Sequence, residues 1–241
     1  MTEVIVFLTG IFAGFVSGFA GGGAGLFMTP VLLFLGVPPH VAVATARMGA
    51  VGLSIGSLTR FFKSDAIIWR MVVPLILLSI PAALIGTYLI ISIPQIYIEK
   101  IIGSILILSS VAILYKPRKQ TNLDKKVGVA TYFAFFVTRI LQAAFGSGVG
   151  LLVNVVYVKL MHMSMTEANA TKRVPGFIVV VITLIIFGVE GLIDYHTGIV
   201  LFAGTLIGSY SGAHIALSVE QKNVALAFST VAVIFGLVLL F

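Results

Sequence analysis

Apolar residues fill the chain in long, nearly unbroken runs, and polar residues collect in the short gaps between them. The runs cover 4–20, 26–35, 41–62, 67–91 and 96–115; a polar, basic stretch follows at 116–126, and then come 127–145, 151–158, 165–189, 195–217 and 224–241. A helix needs about 20 apolar residues to cross a bilayer, so the pattern predicts an all-α polytopic membrane protein. Runs 26–35 and 151–158 are too short to cross about 30 Å as straight helices at about 1.5 Å per residue. Each follows a glycine-rich break, at 21–25 and 146–150. The short runs are therefore expected as glycine-broken or re-entrant helices, with two full spans joined by a glycine turn as the other arrangement. Non-helical backbone at membrane depth is tolerated only where protein buries it or where it lines a wet cavity.

Five runs, a linker and five more runs suggest a duplication. At an offset of 125, Gly21-Gly22-Gly23-Ala24-Gly25-Leu26 lies over Gly146-Ser147-Gly148-Val149-Gly150-Leu151. At an offset of 126, Val41-Ala42-Val43-Ala44-Thr45-Ala46-Arg47 lies over Glu167-Ala168-Asn169-Ala170-Thr171-Lys172-Arg173, and the register continues through Trp69 over Tyr195 and Gly86 over Gly212 to Tyr115 over Phe241. The predicted organisation is a first transmembrane repeat at 1–115, a basic cytoplasmic linker at 116–126 and a second transmembrane repeat at 127–241, about five helical segments in each repeat.

Composition and charge say how the repeats are oriented. Hydrophobic residues make up 59% of the chain and charged residues only 10%, against roughly 25% charged in a soluble domain, so the solvent is lipid. The net charge of +7 is spread over the gaps between runs. That is the pattern that orients membrane proteins, not a nucleic-acid-binding arm. The linker, with Arg60, Lys63 and Arg70 around the junction between the third and fourth runs, reads as inside. The matching junction of the second half carries Glu190, Asp194 and His196 and no Lys or Arg, so it reads as outside. Equivalent loops on opposite faces mean inverted-topology repeats, with both termini outside a cytoplasmic (inner) membrane. The first run lacks a basic leader and is expected to be retained. The chain has no cysteine, which excludes disulfides, thiol catalysis and thiolate metal sites.

The candidate chemistry lies at the breaks and beside them. Free amide N–H groups at a helix start, with the helix dipole, favour an anion, and two such starts related by an inverted repeat would converge on one point near mid-membrane. That makes Gly21, Gly22, Gly23, Gly25, Gly146, Gly148 and Gly150 substrate-binding candidates; close helix packing is the other use of small residues. It is the better account of Gly10, Gly14 and Gly18 and of Gly204, Gly208 and Gly212. Arg47 falls roughly 10 Å into its helix from the outer end, where a charge is costly without a partner. Its mate Arg173, beside Lys172, enters from the inner side. The mirrored pair reads as cationic gates above and below an anion site, or as snorkelling and structural pairing. Arg139 has only Gly14 as its mate and leaves structure and function equally open. Thr45 and Thr171 match in the repeat, as do Thr29 with Asn154 and Ser17 with Gln142, and their hydroxyls and amides can hydrogen-bond an oxyanion or their own backbone. The acidic residues Glu3, Asp65, Glu99, Asp124, Glu167, Glu190, Asp194 and Glu220 all fall near predicted ends or loops, so a carboxylate relay for protons or sodium is not expected. Met161-His162-Met163 with Met165 reads as a membrane-edge loop in preference to a soft-metal site, and neither a metal nor another cofactor is expected.

Gly14-Phe15-Val16-Ser17-Gly18-Phe19-Ala20-Gly21-Gly22-Gly23-Ala24-Gly25, with Pro30 and Val41-Ala42-Val43-Ala44-Thr45 after it, resembles the sulfite exporter TauE/SafE family of membrane permeases. The echo in the second half, with Gly191-Leu192-Ile193-Asp194-Tyr195 before a glycine-rich helix, is similar. The resemblance implies transport of sulfur-containing or organic anions such as sulfite or sulfonates by a protein of duplicated halves. Where members of that family often show Thr-Ser after the alanines, this chain has Thr45-Ala46-Arg47 and Thr171-Lys172-Arg173. The expected function is therefore a secondary transporter for a small anion, working by alternating access. A passive anion channel shares these features, and an intramembrane enzyme or receptor is the remaining class, without a catalytic constellation to support it. The expected partners are the anionic substrate and the lipid bilayer, not nucleic acid; a homodimer is left open.

Overall fold

The computed structural model describes residues 2–113 and 127–217. The basic linker and the run 224–241 lie outside the described residues. The described chain is helical, without a strand: α1 (Thr2–Ala20), α2 (Gly25–Phe34), α3 (Pro39–Phe61), α4 (Trp69–Ser92), α5 (Gln95–Ile113), α6 (Val129–Phe145), α7 (Gly150–Val155), α8 (Met165–Thr171), α9 (Arg173–Val189) and α10 (Tyr195–Ala216). A 3₁₀ turn (Ser147–Val149) precedes α7, and a π turn (Val156–Leu160) extends it. Among the described residues, five stretches are long and apolar enough to cross a membrane: α1, α3, α4, α8 with α9 as Met165–Val189, and α10. This is a multi-pass helical membrane protein.

The predicted breaks are real interruptions. Gly21 and Gly23 adopt φ of +78° and +95°, and Gly146 adopts +90°, in the region that glycine enters without a Cβ penalty. α2 has 10 residues, about 15 Å at about 1.5 Å per residue, so it does not span. The run 165–189, expected as one helix, is divided at Lys172. Pro175 supplies the reason: it has no N–H to offer the carbonyl of Thr171 four residues back, so the ladder opens there. Lys172 then serves as the last cap of α8 and the first of α9.

Small residues decide which helices touch. Gly10 meets Leu201 and Thr205, Gly14 meets Thr205 and Ser209, and Gly18 meets Ser209 and Ala213. The contacts ascend together, so α1 and α10 run parallel. A Cβ on Gly208 would stand 2.0 Å from the carbonyl oxygen of Ile11, and one on Gly212 2.1 Å from that of Phe15. Gly49, Gly52 and Gly56 of α3 step along the other side of α10 in the same sense. α4 likewise lies between α6 and α9, and α3 touches α9 across the centre. Under the offsets read from the sequence, α1 maps to α6, α3 to α8 with α9, and α4 to α10, so the two sets of pairings map onto each other. Single contacts obey the same correspondence: Gly86 faces the carbonyl of Ile140, and its mate Gly212 faces that of Phe15, the mate of Ile140. Large apolar side chains such as Val73, Leu77, Phe133 and Ile185 are exposed on the outside, as lipid contact requires. The polar groups are collected within.

Candidate functional site

The two glycine breaks meet. Gly150 approaches Gly22 and Gly148 approaches Gly25 and Leu26: a Cβ on Gly150 would lie 3.5 Å from the Gly22 Cα, and one on Gly148 3.3–3.6 Å from Leu26 and Gly25. Gly21, Gly22, Gly23, Gly25, Gly146, Gly148 and Gly150 are all buried. The starts of α2 and α7 both lack a side-chain cap; at α2 the Leu26 and Phe27 amides donate instead to the carbonyls of Gly23 and Ala24 at 2.9 and 3.1 Å, so the break itself satisfies amides that were expected to be free for an anion. The two breaks therefore lie against each other, with room for little more than a methyl group between them. Beside them a crevice lined by Thr29, Arg47 and Gly146 is too tight for a water molecule.

Arg47 and Arg173 flank the meeting point and are almost fully buried, at 2% and 6% exposure. Each reaches the other half of the chain. Arg47 donates from Nη1 to the carbonyl of Gln142 at 3.1 Å, and from Nη2 to those of Ala143 at 2.5 Å and Ala144 at 3.1 Å. It thereby caps the last turn of α6, sharing the Gln142 carbonyl with the Gly146 N–H, and sets a cation at the negative end of the helix dipole. The Phe187 ring lies 5.8 Å from its guanidinium carbon. Arg173 donates from Nη2 to the carbonyl of Ser17 near the end of α1. Ser17 is the mate of Gln142, so the two arginines make the same bond in mirrored places. The Nε atoms of both remain buried without a partner.

Thr45 and Thr171 are mirrored as closely. The Thr45 hydroxyl accepts the N–H of Asp194 at 3.0 Å, and the Thr171 hydroxyl accepts that of Ile68 at 3.0 Å; Ile68 and Asp194 are themselves mates, each just before α4 or α10. The threonines thus tie the starts of those helices down, and each still has a hydroxyl hydrogen to give.

The interior also joins Arg139, Lys172 and Asn154 to two polar residues that sequence reasoning passed over, Tyr157 and Asn169. Arg139, 1% exposed, donates to Gln142 Oε1 at 2.5 Å, Tyr157 Oη at 3.2 Å and the carbonyl of Lys172 at 3.2 Å. Lys172, 6% exposed, donates to Asn154 Oδ1 and to the carbonyl of Gly150 at 3.3 Å. Asn154 donates in turn to Asn169 Oδ1 at 3.3 Å. The signal that was available is a failure of matching: Lys172, Asn169 and Tyr157 lie over Ala46, Val43 and Leu32, polar residues over apolar ones within buried strings.

Electrostatically the site is one-sided. Among the described residues the buried charged side chains are Arg47, Arg139, Lys172 and Arg173, with no buried Asp or Glu. No cluster of His, Asp and Glu fit to hold a metal occurs among them either, and Met161 and Met163 pack in an apolar cluster with Val156 and Tyr157.

Known proteins share this sequence along its length. A probable membrane transporter protein of Haemophilus influenzae is 27% identical over 89% of this chain and 85% of its own length. The probable membrane transporter protein YfcA of Escherichia coli strain K12 is 24% identical over 90% and 82%, and the probable membrane transporter protein YjnA of Bacillus subtilis is 23% identical over 99% and 100%. The family model described as sulfite exporter TauE/SafE matches residues 6–239. A broken-helix membrane protein with a buried cationic centre thus meets a family model over nearly all of its sequence, and the chain belongs to the sulfite exporter TauE/SafE family.

Proposed function

We propose that this chain is a secondary transporter that carries a small oxyanion, sulfite or a sulfonate, across the cytoplasmic membrane by alternating access. The observation that carries the reading is the set of four buried cations without a buried carboxylate among the described residues. A charge in the membrane interior is costly unless something compensates it. The ends of α1 and α6 compensate in part, but a helix end offers only about half a charge, so positive charge remains for an anion to balance. The site lies where Gly21, Gly22, Gly23 and Gly25 face Gly146, Gly148 and Gly150, with Arg47 and Thr45 on the outer side and Arg173 and Thr171 on the inner side.

The halves are read as inverted-topology repeats, 1–115 and 127–241, with both termini outside. The antiparallel approach of α3 to α6 supports this: Arg47, near the start of α3, meets the end of α6. In this reading Arg47 and Arg173 are reciprocal latches, each holding a broken helix of the opposite half. Rocking of one half on the other would loosen one latch at a time and open the site to one face. The tight packing at the breaks favours such a carrier over a standing channel.

The experiment is uptake of sulfite and ethanesulfonate into proteoliposomes holding the purified chain. Saturable uptake is expected, falling by at least about tenfold in Arg47→Ala with Arg173→Ala. Unchanged flux in that pair of substitutions would remove both arginines from the mechanism.

A further inference from the structure

The two halves of the centre differ in chemistry, and the difference falls on one cluster. Lys172 gives two of the three protons of its ammonium group to Asn154 Oδ1 and the Gly150 carbonyl. Asn154 also lies 3.4 Å from the carbonyls of Ala20 and Gly21 and 3.3 Å from Asn169 Oδ1. It therefore stitches the first break to the second and sets Lys172 and Asn169 on either side of itself. Asn169 is fully buried, and its Nδ2 has no partner. The side chain is pressed against Gly21, where a Cβ would stand 1.2 Å from Asn169 Oδ1; only glycine permits that approach.

Two kinds of donor are thus left over on groups that both bond Asn154, an ammonium N–H on Lys172 and an amide N–H on Asn169. Of the neighbouring guanidinium groups, Arg139 gives its terminal nitrogens to Gln142, Tyr157 and the Lys172 carbonyl, and Arg173 gives Nη2 to the Ser17 carbonyl, while the Nε of each stays buried without a partner. Both add positive field to the place. In the first half the corresponding positions are Ala46 for Lys172, Val43 for Asn169, Thr29 for Asn154, Gly14 for Arg139 and Leu32 for Tyr157. The repeat that copies the arginine latches and the threonine ties does not copy this cluster.

Resting on the reading of the chain as an anion carrier, we propose that the anion has a single site, in the second half of the chain, where Lys172 Nζ and Asn169 Nδ2 hold it. The ligand is a compact oxyanion head group with at least two oxygens on one central atom, one for the ammonium and one for the amide. Glycine backbones close the place on both sides, so a bulky group near the oxygens does not fit. The site sits off the pseudo-symmetry of the fold, which makes the inward-facing and outward-facing states unequal for the anion.

Isothermal titration calorimetry on the purified full chain in detergent tests this, with sodium sulfite, sodium ethanesulfonate and sodium chloride as probes. The wild type is expected to bind at least one of the two oxyanions saturably and chloride not at all. Asn169→Asp keeps the side-chain volume and sets a carboxylate beside Lys172, so the unliganded melting point should hold while oxyanion affinity falls by at least about tenfold. Lys172→Gln should lose as much. Val43→Ala, at the mirrored position of Asn169, should stay within about twofold of wild type. Asn169→Ala, read the same way, serves if the carboxylate impairs folding. Wild-type affinity in Asn169→Asp and Lys172→Gln, or an equal loss in Val43→Ala, overturns the one-sided site while leaving anion transport standing. A wild type that binds neither oxyanion overturns both.

Discussion

Arg47 gives its guanidinium to three main-chain carbonyls of α6, so its removal takes away a charge and uncaps a helix in one step. The sequence placed Arg47 and Arg173 as a mirrored pair inside the membrane. It held no sign of their acceptors, because a carbonyl carries no side-chain label and these lie in the other half of the chain. Asp194 shows the opposite case, a residue whose local role can be read directly. It begins α10, and its carboxylate accepts the Thr197 hydroxyl at 2.6 Å and the Thr197 N–H at 3.2 Å. The Thr197 hydrogen bond holds the Asp194 carboxyl below the usual carboxylate range. A depressed folded value means stability that is fully present above the unfolded value of about 3.9 and lost as pH falls through the folded value. Asp194→Ala should cost about 1 kcal/mol at neutral pH. In melting curves of the detergent-solubilised protein, the wild type should converge on the variant as the pH is lowered from about 6 to about 3; a gap that stays constant with pH would show that the carboxylate charge is not what caps α10.

At the scale of helices, small residues set the distances. The Gly10, Gly14, Gly18 and Gly204, Gly208, Gly212 stripes were legible as packing surfaces, and the structure presses them against each other. A methyl at Gly208 meets the Ile11 carbonyl, which is backbone and cannot rotate away. Gly208→Ala should therefore lower stability by about 1–3 kcal/mol, as overpacking does. Gly128→Ala should leave it unchanged, since a Cβ there has nothing within 4 Å. Thermal unfolding of both variants in one detergent decides the matter, and equal melting points would mean that the α1–α10 seam is looser than described. Long apolar runs gave the helices away because only helices satisfy the backbone in lipid. The division at Lys172 did leave a signal, since Pro175 lies ten residues into the run, well past the first turn that tolerates proline, but a hydropathy pattern does not register it. The π turn after α7 had no signal in composition at all.

For the whole molecule, the proposed arrangement is two inverted copies of one unit around a cationic centre. The duplication is proposed from Ala-x-Ala-Thr-x-Arg and the glycine breaks, and the sidedness from the positions of Lys and Arg. The departure from symmetry was not legible there, because a repeat search rewards matches, whereas Lys172 and Asn169 matter as mismatches. The absence of cysteine from the chain makes orientation simple to test. Single cysteines at Ser64 and Gly191, in the mirrored junctions before α4 and α10, should react with a membrane-impermeant maleimide from opposite faces, Gly191→Cys from outside and Ser64→Cys only after the membrane is opened. Labelling of both from one face would remove the inverted arrangement and with it the pairing of the latches.

The most direct test of the carrier itself is counterflow. Proteoliposomes loaded with unlabelled sulfite or ethanesulfonate should take up the same labelled anion faster than empty ones. Uptake should saturate with concentration and be unaffected by exchanging sodium for another cation outside. Flux that rises linearly, gains nothing from internal anion, or follows the cation would contradict the account of an oxyanion carried past four buried positive charges.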